Sequence, residues 1–234
     1  MCTASWLREG STFRLFFNRD ESRGRPVAMP PDVYATEGVH FLSPRDAAKG
    51  GTWIAVSERG AILALLNRSG GRRPENPGSR GRLIPRWIAA ADSFDLVRCI
   101  ANEDLSDLPP FRLLAFGFDD SAEGRAVVYG WDGRQRERSA LESARGLVAS
   151  SGLGDAAALA SRGTVFQRIP PTADAHRAFH RSHEPERGPY SPCMHHELAR
   201  TVSHTEIEIG PEGVVMRYFE GSPCEAGAAV EVRL

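Results

Sequence analysis

The sequence predicts an α+β fold in which antiparallel sheets carry helices on their faces, and three observations predict it. Apolar runs come in pairs separated by short Gly-containing turns, as in hairpins, rather than alternating with helices as βαβ crossovers require. Segments of helical character fall between blocks of strands, giving the order strands, helices, strands, helices, strands. No internal repeat or low-complexity tail interrupts the 234 residues, so residues 1–234 are read as one domain.

The first pair is Thr3–Arg8 and Thr12–Phe17 around a Glu9-Gly10-Ser11 turn. The second is Thr52–Val56 and Ala61–Leu66 around Glu58-Arg59-Gly60; its second run is apolar throughout, which predicts a strand covered on both faces. Gly70, Gly71, Pro74, Pro77, Gly78 and Gly81 make the stretch from Arg68 to Pro85 a loop. Helices are predicted over Arg82–Ala91 and Phe94–Asn102, before Pro109-Pro110, and a strand pair over Phe111–Gly117 and Arg125–Trp131. A short strand at Gly146–Ser151, helices at Asp155–Arg162 and Ala173–Ser182, and strands at Val202–Ile209, Val214–Glu220 and Ala228–Leu234 complete the chain.

Composition narrows the function. Basic residues number 29 and acidic residues 30, a formal net charge of −1, which gives no general attraction for nucleic acid or an anionic membrane. Arg8, Glu9, Arg14, Arg19 and Asp20 break up the N-terminus, so no secretory leader is expected. No run of 18 apolar residues is present to span a bilayer. Four cysteines, Cys2, Cys99, Cys193 and Cys224, form no disulfide framework in a chain this long. The expectation is a cytoplasmic protein with reduced thiols.

Cysteine directly after the initiator methionine is the most informative position. Methionine is normally trimmed before so small a residue, which would leave Cys2 with a free α-amine. An amine of reference pKa about 7.7–8.0 and a thiol near about 8.5 in one residue supply base and nucleophile together. The segment Asn18-Arg19-Asp20-Glu21 ends the second strand of the first hairpin, which brings it beside the start of the first strand. There the Asp20 carboxylate is placed to orient the amine and the Arg19 guanidinium to favour the thiolate. Read from the residues alone, these four polar residues, three of them charged, serve equally well to solvate a loop.

Several segments carry a resemblance. Met1-Cys2, Phe17-Asn18-Arg19-Asp20-Glu21 with Arg25-Pro26, and Gly50-Gly51-Thr52-Trp53-Ile54-Ala55-Val56-Ser57 with Arg59-Gly60 resemble the NRDE family, which includes the Transport and Golgi Organization proteins of eukaryotes. Asn67, Ser79-Arg80-Gly81-Arg82-Leu83 and Ser203-His204-Thr205-Glu206-Ile207 look like further landmarks of it. That family is similar in pattern to the choloylglycine hydrolases and penicillin V acylases, which are N-terminal-nucleophile hydrolases. The resemblance implies a four-layer αββα sandwich, Cys2 as nucleophile, Arg19 and Asp20 as its partners, and Asn67 as a donor to the oxyanion. It further implies an amidase-like attack on an amide, ester or thioester; Asn18 and Arg200 are read as substrate-binding groups, and the arginines after Asn67 point to a small anionic molecule. The alternative is a non-catalytic carrier of haem or an acyl ligand in the same pocket. No cofactor is expected, haem being considered only as a ligand. Amidases of this type have a second asparagine on a central strand, where this chain reads Ala149-Ser150-Ser151-Gly152.

Other clusters admit two readings. Arg68, Arg72, Arg73, Arg80, Arg82 and Arg86 against Glu75 alone would hold a carboxylate or phosphate, with Arg72, Arg73 and Arg80 nearest the pocket, or would simply be solvated. Cys193-Met194-His195-His196 lacks the spacing of a known zinc module, with His204 and Cys224 as the nearest further ligands, so no metal is expected. His195 or His196 would be the haem ligand on family grounds. His176, His180 and His183 share one helical face, expected to be a polar surface.

Overall fold

The computed structural model describes residues 2–91, 95–117, 125–142, 144–225 and 227–234. Strands β1 (Cys2–Glu9) and β2 (Thr12–Ser22) form the N-terminal hairpin, followed by β3 (Met29–Thr36), β4 (Val39–Arg45), β5 (Ile54–Ser57) and β6 (Ile62–Asn67). Helices α1 (Leu83–Trp87), flanked by 3-10 turns, and α2 (Asp95–Asn102) come next. Then follow β7 (Phe111–Gly117), β8 (Arg125–Trp131), β9 (Arg136–Ala140), β10 (Arg145–Ser150), α3 (Asp155–Phe166) and α4 (Ala173–Arg181). The last strands are β11 (Ala199–Gly210), β12 (Gly213–Glu220) and β13 (Val230–Arg233). Met1 and the Phe94 start of the second predicted helix lie outside the described residues.

These strands make two sheets, ordered β10-β1-β2-β11-β12-β13 and β3-β4-β5-β6-β7-β8-β9, with antiparallel neighbours throughout. Between them Ala4, Trp6, Phe13, Leu15 and Phe17 pack against Ile54, Val56, Ile62, Ala64 and Phe116. Each large side chain so buried contributes about 1.5–3 kcal/mol. Leu83, Ile84, Trp87, Leu96 and Ile100 of α1 and α2 cover the outer face of the second sheet over Phe41, Ala55 and Leu63. Helix α3 lies on β10, and α4 on β1 and β2, covering the first. The result is the αββα sandwich expected. No helix of the described residues is long and apolar enough to cross a membrane.

Strands β3, β4 and β9 were not expected. Edge strands β3 and β9 lack the apolar alternation that marks a half-buried strand: β3 contains Pro30-Pro31, and every residue of β9 is exposed. A larger correction concerns α4. His176 and His180, expected on a polar surface, are fully buried against β1, and His183 lies beyond the helix end. The polar face of this helix is the one that packs, because the sheet offers it partners: Ser5 Oγ is 2.9 Å from both His176 Nδ1 and His180 Nε2.

The position of Cys2 follows from this layering. Strand β1 is flanked by β10 and β2, and its residues alternate between two covered faces. Cys2, Ala4 and Trp6 point between the sheets, while Thr3 and Ser5 point at the helices. Gly146 on β10 is required here, since a Cβ would collide with the Trp6 ring.

Candidate active site

Cys2 stands opposite Ser150 on one side and Arg19 on the other. Its main-chain nitrogen donates to Ser150 Oγ at 3.0 Å. Its side chain is buried, and burial raises the thiol pKa above its ordinary value. The positive chain terminus, a hydrogen bond from the Asp20 main chain and the Arg19 charge oppose that rise, and the Asp20 charge adds to it. The resting group is therefore a thiol, and the expected Arg19-stabilised thiolate is not the net outcome.

Arg19 faces the same inter-sheet space. Its guanidinium lies 4.0 Å over the Trp53 ring and donates to Asp46 Oδ2 at 2.5 Å. Arg25 also binds that carboxylate, at 2.8 Å. Burial works against the Asp46 charge, but the Arg25 hydrogen bond and the charges of Arg25 and Arg19 hold its carboxyl below the usual range. Asp46 thus fixes the guanidinium beside Cys2; no motif in the sequence singled it out.

Asp20 is one residue along β2, so its side chain points the other way, toward α3. Thr201 Oγ1 donates to Asp20 Oδ1 at 2.6 Å, and Arg162 Nη2 lies 3.4 Å from Oδ2. Arg162 also donates to Thr3 Oγ1 at 2.5 Å. Arg162 was missed in the sequence although a signal existed. It falls in the buried stripe of α3 with Asp155, Ala158 and Val165, and a charge there requires a partner.

Asn18 corrects an expectation. Placed among the substrate-binding groups, it is fully buried: Nδ2 donates to the carbonyls of His180 and Pro192 at 2.8 and 2.9 Å. Its Oδ1 accepts from His204 Nδ1 at 2.7 Å, leaving no polar atom for a ligand.

Asn67 ends β6, half-buried, and no hydrogen bond among the described residues restrains its amide. The arginine segment begins here and is not the free loop expected. Ser69 is joined to the start of α3 by bonds of 3.0 Å in both directions with Asp155. Arg72 N donates to Asp132 O at 2.8 Å, and Gly71, at φ 77°, leaves no room for a Cβ against that carbonyl. Thr52 N donates to Gly81 O at 3.1 Å. Three arginines are neutralised: Arg68 by Glu137 at 2.8 Å, Arg82 by Asp107 at 2.7 Å and Arg86 by Glu103 at 2.6 Å. Arg72, Arg73 and Arg80 have no carboxylate partner among the described residues. Burial, then the neighbouring Arg73 charge, lowers the Arg80 pKa, while the charges of Cys2 and Glu21 act in the opposite sense.

Arg200, on β11 opposite Glu21, lines a cavity of about 120 Å³ with Arg19, Arg23, Arg25 and Tyr218. Glu21 and Glu220 are the acidic groups on its wall. His196 is half-buried, its Nδ1 accepting from Leu198 N at 3.3 Å. His195 instead lies among sulfur atoms, with Cys193 and Cys224.

Residues 1–162 match the family model described as Transport and Golgi organisation 2. The Transport and Golgi organization protein 2 homolog of Bos taurus is 32% identical over 89 residues, which is 37% of this chain and 32% of that protein's length. Among solved structures, the Caenorhabditis elegans ortholog of N-acylethanolamine-hydrolyzing acid amidase superposes with a TM-score of 0.59 at 10% identity, covering 88% of this chain and 92% of its own. A mutant conjugated bile acid hydrolase from Clostridium perfringens gives 0.57 at 11% identity, covering 100% of this chain and 92% of its own. At such identities the likeness is one of fold, that of the N-terminal-nucleophile hydrolases.

Proposed function

Since this chain belongs to the Transport and Golgi organisation 2 family and has the N-terminal-nucleophile hydrolase fold, we propose that it hydrolyses an amide, ester or thioester of a small anionic molecule through Cys2. The observation that carries the reading is the seat of Cys2, at the head of an interior strand with its nitrogen on Ser150 Oγ and Arg19 beside it. Removal of Met1 turns that nitrogen into an α-amine, with Ser150 accepting one of its protons. A thiol kept protonated by burial then needs a base at the moment of attack, and its own amine is that base.

The amine takes the thiol proton as sulfur bonds to the acyl carbon, and the carbonyl electron pair becomes an oxyanion, for which Asn67 is the proposed donor. Collapse of the adduct expels the leaving group, which takes that proton from the ammonium. The acyl-cysteine is cleared by water, the same amine accepting its proton and returning it to the sulfur. Arg72, Arg73, Arg80 and Arg200 supply the charge that selects an anionic substrate.

Protein made in cells should lack Met1 by intact mass. Incubation with a panel of acyl amides, esters and thioesters should leave an acyl group on Cys2 by peptide mapping. Full retention of Met1, or neither adduct nor turnover in the trimmed chain, sinks the proposal. The raised thiol pKa and the serine opposite Cys2 favour a second reading, the carrier of haem or an acyl ligand. Tight binding of haem or an acyl-CoA without cleavage of any acyl bond would select it.

A further inference from the structure

A second constellation lies away from Cys2. After α4 the chain runs through 182–198, a stretch interrupted by Pro185, Pro189 and Pro192 and containing no strand or helix. Nonetheless it supplies groups the interior depends on. Pro192 O accepts from Asn18, Pro189 O lies 3.4 Å from Arg162 Nη2, and Met194 N donates at 2.8 Å to the same Thr201 hydroxyl that holds Asp20. Main-chain bonds from Cys193 N to Ser182 O and from Thr201 N to Met194 O are further fastenings.

At the outer end of this segment, one ligand atom from each of His183, Cys193, His195 and Cys224 lies within 4.8 Å of every other. His195 Nε2 is 3.5 Å from Cys193 Sγ and 3.4 Å from Cys224 Sγ. A tetrahedral zinc ion with bonds of about 2.3 Å to sulfur and about 2.0–2.1 Å to nitrogen has nitrogen–sulfur edges of about 3.6 Å. The ring of His183 stands 5.0 Å from that of His195, and its Nε2 is buried with no hydrogen-bond partner. A buried, unpartnered imidazole nitrogen beside two thiols is an unmet demand that a cation would satisfy.

We propose that His183, Cys193, His195 and Cys224 bind a structural zinc ion that staples the 182–198 segment to the turn after β12. Two thiolates and two imidazoles in a tetrahedron suit zinc, and four protein ligands leave no open position, so the ion is a brace rather than a reagent. The spacing, one histidine ten residues before a Cys-X-His and one cysteine far downstream, explains why the sequence did not disclose it. All four residues lie beyond the 1–162 family match. One contact must rearrange. Arg187 Nη2 is 3.3 Å from His195 Nδ1, which carries the ring proton once Nε2 holds metal; the exposed guanidinium then turns to Glu225, already 3.3 Å away.

The full chain, purified under reducing conditions, should contain one zinc per molecule by elemental analysis. After chelation, titration with Co(II) should give the intense visible bands of tetrahedral cobalt and a near-ultraviolet thiolate-to-cobalt band. Cys224→Ser, in a half-buried turn, should remove most of the thiolate band and weaken Co(II) binding by more than about 100-fold, a larger loss than that for an outer-shell partner. Cys99→Ser should leave both unchanged. Folded wild-type protein that carries no zinc and gives only the weak spectrum of octahedral cobalt would overturn the proposal. So would zinc-free protein in which thiol counting shows Cys193 and Cys224 joined as a disulfide.

Discussion

The two faces of the N-terminal hairpin are built to opposite specifications, although alternate residues of the same strands make them. On the helix face the hairpin's polar side chains are engaged, Ser5 with His176 and His180, Asn18 with His204, Thr3 and Asp20 with Arg162, while His176 Nε2 and His180 Nδ1 stay buried without a partner. The chain continues through His204 and Glu206, 3.4 Å apart, to Arg177 at 3.0 Å. On the inter-sheet face Cys2 lies in an apolar core with Arg19 as its charged neighbour in register. A densely bonded network fixes geometry because breaking any of its bonds would leave a further buried polar group unpaired. A face with few partners leaves a reactive group free to meet a substrate. The hairpin is thus a rigid mount on one side and a candidate site on the other.

That contrast can be broken by substitutions whose effects should fall on activity or on stability, not both. The largest effect expected is on the inter-sheet face: Cys2→Ala should abolish turnover of any acyl substrate and leave ligand affinity within a few-fold, by steady-state kinetics and calorimetry. A variant that still turns over would remove the nucleophile from this account. Asn67→Ala should lower turnover by roughly 10²–10³ if it serves the oxyanion, with little change in melting temperature. Loss of stability without loss of rate would make Asn67 a strand terminator only.

On the helix face, Arg162→Met removes the guanidinium 3.4 Å from the fully buried Asp20 carboxylate and should destabilise the fold by about 3–5 kcal/mol in urea unfolding. Neutral behaviour would mean that Asp20 does not depend on the Arg162 charge. Acid should act on the same face. Burial lowers the pKa of His176 to about 4 and that of His180 well below normal, so both are neutral when folded. Below about pH 6.5 the unfolded chain takes up protons that the fold refuses, so stability is complete above that pH and declines toward pH 4. For His176 the slope is about 1.4 kcal/mol per pH unit, and His176→Gln should flatten it. An unchanged slope would assign acid sensitivity elsewhere.

The smallest effect belongs to the rim. The Arg72→Ala, Arg73→Ala double variant should weaken binding of an anionic ligand at low salt by about 1 kcal/mol or less per arginine, and should reduce the salt dependence. Equal affinity at both ionic strengths would return these side chains to the solvent.

Much of this was legible in the chain. Hairpin pairs separated by glycine turns specified antiparallel sheets, and the all-apolar run Ala61–Leu66 marked a strand covered on both faces, as β6 is. Cys2 and the Asn18–Glu21 segment were recognisable because hairpin pairing is local: strands of 8 and 11 residues and a tight turn decide which residues stand opposite one another. The sequence also predicted the helices, since their periodicity is a short-range property.

Only the tertiary structure decided which way those helices and side chains faced. His176 and His180 read as surface because polar residues usually are, but a sheet face carrying Ser5 and Asn18 reversed the orientation of α4. Asn18 became a clip and Asp46 an anchor through partners that sequence separation hides, Pro192 in one case and Arg19 in the other. Of six arginines, charge alone could not tell the three paired with distant carboxylates from the three without such partners among the described residues. The cluster of His183, Cys193, His195 and Cys224 is the extreme case, because its members meet only after β11 and β12 have crossed the sheet and returned. Local pattern fixes elements and neighbours in a hairpin; long-range pairing, in which each polar group must find a partner once water is excluded, fixes everything else.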